Sequence, residues 1–262
     1  MAIVLLCMAA VQDVETTWLP ADLLYPHPLA DPRAPFTGSR VQIPLREGRH
    51  TTLENAFGEY QSLLRRVDGE DAFEIAAEGA VFARFDPQES LDMDGADFRF
   101  GFPLVYRRGP LALKLHPWHI TSHLGDEIIE REGFLRIEYA RNELALGVSW
   151  NPTPAWRLYG EGGWGFSVGD PNDPWRWMAG TEVVDRLLGA EGPEVYLAAN
   201  ATSWKETDWE AQLNVQAGVW LRSEETPSGA RFGLEYFRGP SALTQFFFQR
   251  DHYVSVGVWI HF

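Results

Sequence analysis

The last eleven residues, His252 to Phe262, constrain the fold of this chain more than any other stretch. Val254, Val256, Val258, Ile260 and Phe262 fall on one side of an extended strand; Ser255, Gly257, Trp259 and His261 fall on the other. Successive side chains of a strand point to opposite faces, so one face here is purely apolar and the other mostly small or polar. Such a strand divides an oily phase from a wet or charge-lined one. The same two-residue period recurs from Phe73 onward. Phe98, Phe100, Phe102, Leu104 and Tyr106 alternate with Arg99, Gly101 and Arg107, and Leu144, Leu146, Val148 and Trp150 alternate with Ala145, Gly147 and Ser149. Turn signals at Arg108-Gly109-Pro110, Asn151-Pro152-Thr153-Pro154 and Gly169-Asp170-Pro171-Asn172 divide the runs. The count comes to about twelve strands of membrane-crossing length, with weak ones near Glu130–Arg141 and Leu243–Arg250.

A soluble sandwich also alternates, but its polar face meets bulk water and favours Lys, Glu, Thr and Ser. Here that face carries glycine and charges of both signs, among them Glu78, Arg84, Arg99, Arg107, Glu161 and Glu182. Charges of both signs can pair across the lumen of a closed barrel, where burial is tolerable only when they are paired and hydrogen-bonded. The chain has 11 Trp and 16 Phe, which suits the aromatic girdles of a membrane barrel. The remaining alternative is a soluble secreted carbohydrate-binding β-sandwich. A net charge of −15 provides no basic patch for nucleic acid. The sole Cys, Cys7, excludes a disulfide framework, and no apolar run reaches the roughly 18 residues of a transmembrane helix.

These features predict an all-β fold: a closed antiparallel transmembrane β-barrel of about twelve strands with an N-terminal periplasmic segment. Residues 1–10 read as the remnant of a signal peptide. Residues 11–71 read as a periplasmic lead-in or small plug, rich in Pro20, Pro26, Pro28, Pro32 and Pro35. Within it, Leu53, Ala56, Phe57, Tyr60 and Leu63-Leu64 lie roughly at helical spacing over Thr52–Arg66. Residues 72–262 are expected to form the barrel, with a narrow or largely occluded lumen.

The C-terminal pattern of Gly257, Ile260 and Phe262 resembles the signal by which bacterial outer-membrane barrels are read by their assembly machinery. That resemblance implies an outer-membrane location, with membrane lipids and that machinery as partners. Further motifs are Trp18-Leu19-Pro20, Ala30-Asp31-Pro32-Arg33, Ala83-Arg84-Phe85-Asp86, Asp97-Phe98-Arg99-Phe100-Gly101, Tyr106-Arg107-Arg108-Gly109-Pro110 and His119-Ile120-Thr121-Ser122-His123-Leu124-Gly125-Asp126-Glu127. Together they resemble an uncharacterised bacterial family, the domain-of-unknown-function family numbered 1207. The resemblance implies an outer-membrane location but supplies no activity and no catalytic residue.

The segment from Leu111 to Glu127 is where chemistry is best sought. Leu111, Leu113 and Leu115 oppose Ala112, Lys114 and His116, and then Pro117 intervenes; lacking an N–H, it is a candidate for a bulge. His119, Thr121 and His123 share one face, and Ser122 lies on the other. Three readings stand: a structural polar ladder, a hydrolase, and a metal or ligand site. The hydrolytic reading rests on a likeness to outer-membrane phospholipase A, a barrel with a lipid-facing His-x-Ser pair assisted by Asn and calcium. His119-x-Thr121 departs from it in offering Thr as the nucleophile. Asp126 and Glu127 are candidate metal residues, calcium being the cofactor to consider. Register decides between the first two readings: without a bulge at Pro117, His119, Thr121 and His123 continue the Leu111–Leu115 face and point at lipid, where ionisable groups are costly and call for a function. The leading expectation is a non-enzymatic outer-membrane protein, a narrow pore or a structural and surface protein. The phospholipase A-like hydrolase comes second.

Overall fold

The computed structural model describes residues 14–168, 173–187, 189, 192–222 and 228–261. The signal-like residues Met1–Ala10, the turn 169–172 and Phe262 lie outside them. The strands are β1 (Glu15–Trp18), β2 (Thr37–Pro44), β3 (Thr52–Asp68), β4 (Asp71–Asp86), β5 (Asp92–Gly101), β6 (Leu104–Arg108), β7 (Leu111–Leu124), β8 (Tyr139–Thr153), β9 (Trp156–Val168), β10 (Trp175–Arg186), β11 (Glu194–Trp204), β12 (Ala211–Arg222), β13 (Gly229–Pro240) and β14 (Arg250–His261). One short helix, α1 (Asp126–Glu132), stands between β7 and β8.

All the strands form one sheet in which each barrel strand pairs antiparallel with its sequence neighbours, and β14 returns to pair with β2, Ile260 opposite Thr37. β5 and β6 are two halves of one stave between β4 and β7, and β1 only borders the end of β3. The fourteen strands of the sheet thus make a closed barrel of twelve staves. Tight turns at 69–70, 109–110 and 154–155 gather at one end, together with Thr37 and His261. The segments 45–51, 125–138 and 241–249 gather at the other, hereafter the loop end.

The expected boundary at residue 72 moves to Thr37. The stretch Thr52–Arg66 is not a helix but most of β3. Its inward side carries Glu54, Ala56, Gly58, Tyr60 and Ser62, and its outward side Leu53, Asn55, Phe57, Glu59 and Gln61, so small and polar residues on both faces blur the two-residue contrast. A bulge between Ser62 and Leu64 places the Leu63-Leu64 pair across the pleat. No strand forms over Glu130–Glu138 or Leu243–Gln249, so ten staves follow Asp71, and β2 and β3 complete the twelve.

The proline-rich segment Pro20–Phe36 runs inside the barrel. Leu24, Tyr25, Leu29, Ala30, Ala34 and Phe36 are buried there, Leu29 and Ala30 against Tyr196 and Ala198. Its five prolines lack N–H groups, so its carbonyls outnumber its donors. Wall arginines supply the deficit. Arg157 donates to Pro26 O at 2.8 Å and His27 O at 3.4 Å, Arg99 to Arg33 O at 3.0 Å, and Arg40 to Pro32 O at 3.2 Å. Arg231 and Arg107 donate to Leu29 O and Leu24 O, each at 3.4 Å. In the other direction, Leu29 N donates to Glu182 at 2.5 Å. Burial pushes His27 down to about 3 against the pull of nearby Glu78, so the segment carries a neutral imidazole into the lumen.

Wall cations, Arg157 and Arg99 among them, also pair with interior carboxylates. Arg141 and Arg176 each lie 2.7 Å from Glu143, and Arg176 continues to Glu161, which Lys114 meets at 2.8 Å. Arg157 meets Glu182 at 3.2 Å and Arg99 meets Glu78 at 2.8 Å. Removing one member of such a network strands the others as buried charges, at a cost of about 3–5 kcal/mol. Glu143→Ala, which takes the close carboxylate from Arg141, leaves Arg176 with Glu161 alone and deprives Trp118 Nε1 of its acceptor, is expected to lose about that much in urea unfolding from micelles; a change below about 0.5 kcal/mol would show that the network contributes little.

Candidate functional site on the outer wall

Pro117 does not shift the register of β7. Pairing runs unbroken from Leu111 opposite Trp150 to Ser122 opposite Tyr139, with Pro117 opposite Leu144. The irregularity lies in the neighbouring stave, where Phe102-Pro103 separates β5 from β6 opposite His116-Pro117. Two prolines meeting at one place remove ladder bonds there without adding a residue to either strand. Leu111, Leu113, Leu115, Pro117, His119, Thr121 and His123 therefore share the outward face, while His116, Trp118, Ile120 and Ser122 are buried inside.

His119 is held from both sides. Its Nδ1–H donates to Asn142 Oδ1, the two 2.8 Å apart, and its ring lies 5.0 Å from that of Phe100. His119 is directly opposite Asn142 on β8 and Phe100 on β5. With Nδ1–H turned to the amide oxygen, Nε2 is the ring nitrogen left to face outward as an acceptor. Thr121, two residues on, is on the same face, roughly 6.6 Å away along the strand. His123 contacts the Phe98 ring edge-on at 5.6 Å. Together these residues contain a base, an orienting amide and a hydroxyl, the component types of a nucleophilic site.

The other expected site residues go elsewhere. Ser122 donates from the inside to Asp97, a buried carboxylate that also accepts from Thr244 N. Asp126 and Glu127 are exposed on the first turn of α1, and no group of three or more His, Cys, Asp or Glu side chains converges as for a metal among the described residues. Glu78, Arg84, Glu161 and Glu182 are buried inside the barrel, and Arg99 and Arg107 reach the inner segment. Gly257 and Ile260 lie in β14. Asn142 was not singled out from the sequence, though it is the polar residue that breaks the outward series of Leu144, Leu146, Val148 and Trp150.

An interior cavity of about 50 Å³ opens near the loop end, lined by Trp118, Tyr139, Trp204, Arg33, Arg176 and Glu206 among others. Glu206 accepts from Tyr139 Oη at 2.9 Å. Burial pushes its carboxyl up to about 7, opposed by Arg141 and by the Tyr139 hydrogen bond, and helped by Glu143 and Asp173.

The fold is thus that of a closed antiparallel barrel with a filled interior. The chain belongs to the family described as "Protein of unknown function (DUF1207)", whose pattern matches residues 4–262. No curated protein matches it. Among solved structures it is similar to a mutant porin of Rh. blastica, at 10% identity, covering 87% of this chain and 99% of that one, with a TM-score of 0.37.

A carboxyl whose folded value is raised binds its proton more tightly when folded, so its contribution is complete below its ordinary value near 4.5 and is lost as pH rises through about 7. The unfolding midpoint should therefore fall between pH 5 and pH 8, and Glu206→Gln should flatten that slope. An unchanged slope in the variant would assign the pH dependence to other groups.

Proposed function

We propose that this chain is a bacterial outer-membrane barrel with a sealed lumen, serving a structural or surface role rather than conducting solutes freely. The outward face supports the membrane placement. Phe57, Phe73, Phe102, Leu146, Phe166, Leu197, Leu234 and Val256 are each more than half exposed there, and a soluble protein rarely tolerates so extensive an apolar surface. Carboxylates and guanidinium groups pair inside, as a wall between hydrocarbon and a polar core requires. No helix among the described residues is long and apolar enough to cross a membrane, so strands would make the crossing. The observation that carries the sealed reading is the grip of Arg157, Arg99, Arg40 and Arg231 on the carbonyls of Pro20–Phe36. Its partners are outer-membrane lipids and, through the β14 signal of Gly257 and Ile260, the barrel assembly machinery. In planar bilayers the full chain should carry no steady current, whereas Arg157→Ala combined with Arg231→Ala should give intermittent openings. A steady open channel in the native protein would contradict the proposal.

One observation favours a second reading, hydrolysis of lipid esters: the His119–Asn142 hydrogen bond on the outward wall. An imidazole and an amide facing hydrocarbon are costly enough to call for a function. In this reading the Thr121 hydroxyl adds to the ester carbonyl as His119 Nε2 takes its proton. The proton passes to the departing alcohol, and water then cleaves the acyl-threonine with His119 again as base. Calcium at the loop end would be the cation to add. Fatty-acid release from mixed micelles should fall by about 10²–10⁴-fold in His119→Ala and Thr121→Ala, and persist in Thr121→Ser. Unchanged release in His119→Ala would clear that residue of involvement.

A further inference from the structure

The outer wall carries a groove beside His119. Between Ala56, where pairing with β2 ends, and Leu64, where pairing with β1 begins, β3 has no strand on that side. Local bonds bridge the gap instead of a ladder, among them the Thr37 hydroxyl to Gly58 O at 3.0 Å, Gln61 Nε2 to Pro20 O at 3.3 Å and Leu19 N to Leu63 O at 3.1 Å. On the neighbouring strand the outward position opposite Glu59 is Gly79, which has no side chain to fill the wall. Phe57 and Glu59 stand on one side of the resulting depression, and Phe98 and Phe100 on the other. Val81 lies at its edge, and the depression holds about 600 Å³ and is open to the outside.

The groove runs toward the polar pair. Hydrogen-bonded neighbours step from Glu59 to Gly79, Phe100, His119 and Asn142 across five strands. Glu59 sits midway along β3, near the level where β2 begins, whereas Asn142 is close to the loop end of β8. The row therefore climbs the wall, as it must where strands tilt by about 35–45°. From β3 to β7 it spans roughly 14 Å, three strand spacings. Phe100 belongs to both features, walling the groove and packing against His119 at 5.0 Å. The depression is continuous with the apolar outward face, whose surroundings in a bilayer are hydrocarbon.

We propose that this groove seats one acyl chain of a membrane lipid, with the lipid's ester end beside His119, Thr121 and Asn142 and the chain descending past Phe100 over Gly79. The seat rests on the lipid-ester reading for its purpose, but binding and cleavage are separate events. It makes Gly79 and Phe57 specificity-determining positions. A longer side chain at Gly79 fits without disturbing the barrel, since a Cβ there meets only Arg99 O, at 3.8 Å. Gly79→Leu would thus occupy the space of the chain.

The test uses the full-length protein in vesicles containing phosphatidylethanolamine with a photoactivatable diazirine in its acyl chain. After irradiation and digestion, mass spectrometry locates the attached lipid. Label should concentrate on peptides carrying Phe57, Val81, Phe98 and Phe100, at least three-fold over those carrying the equally outward Leu213, Phe232 and Leu234. Gly79→Leu should reduce this excess to background. Even labelling around the wall of the native protein would overturn the proposal, and so would an undiminished excess in a Gly79→Leu barrel that retains its heat-modifiable gel shift. If Gly79→Leu fails to assemble, Phe57→Ala replaces it and must reduce the excess. Concentrated labelling without fatty-acid release would leave the seat standing and remove the hydrolase, so the two can fail independently.

Discussion

The structure depends on matching hydrogen-bond donors to acceptors in a space that excludes most water. A segment with Pro20, Pro26, Pro28, Pro32 and Pro35 brings more carbonyls than N–H groups into the lumen. A guanidinium has five N–H donors and no acceptor, so it can serve a carboxylate and a backbone carbonyl together. Arg157 does this with Glu182, Pro26 and His27, and Arg99 with Glu78 and Arg33. The inner segment and the wall are therefore complementary in a specific sense. Without the segment, several arginines would lose acceptors, and without the arginines the segment's carbonyls would be buried unmet.

That arrangement leaves the outer wall as the place where polar groups need an explanation. A barrel can keep its charges inside and its leucines outside with little conflict, as β8 does from Leu144 to Trp150. Asn55, Glu59 and Gln61 break the rule on β3, and His119, Thr121, His123 and Asn142 break it together on β7 and β8, with the bare Gly79 and Phe100 between the two groups. Nothing in barrel closure requires these departures to coincide. Their coincidence is what the lipid-ester reading and the acyl seat account for.

Much of the fold was legible because alternation is a local property, written two residues at a time. The apolar face of β14 and the charged interior of β4 could be read without knowing their partners. β2 and β3 were not legible, because the outward Asn55, Glu59 and Gln61 and the inward Ala56 and Gly58 remove the polarity contrast that marks a membrane strand. The path of Pro20–Phe36 was hidden for a different reason. The bond from Leu29 N to Glu182 joins residues 153 apart, and no short-range pattern carries that information. At the site, His119 and Thr121 were visible as a pair, while Asn142 needed the register of β7 on β8 to bring it opposite.

The central claim is that the outward face meets hydrocarbon while charge is enclosed within. Spin labels on Leu144→Cys, Leu146→Cys and Val148→Cys, with Cys7 replaced by Ser and the protein in lipid vesicles, report this most directly through collision rates with oxygen and with a water-soluble nickel chelate. The account expects high oxygen and low nickel accessibility at all three positions, with oxygen access peaking toward the bilayer centre. Ready access of the nickel chelate to these positions would contradict it.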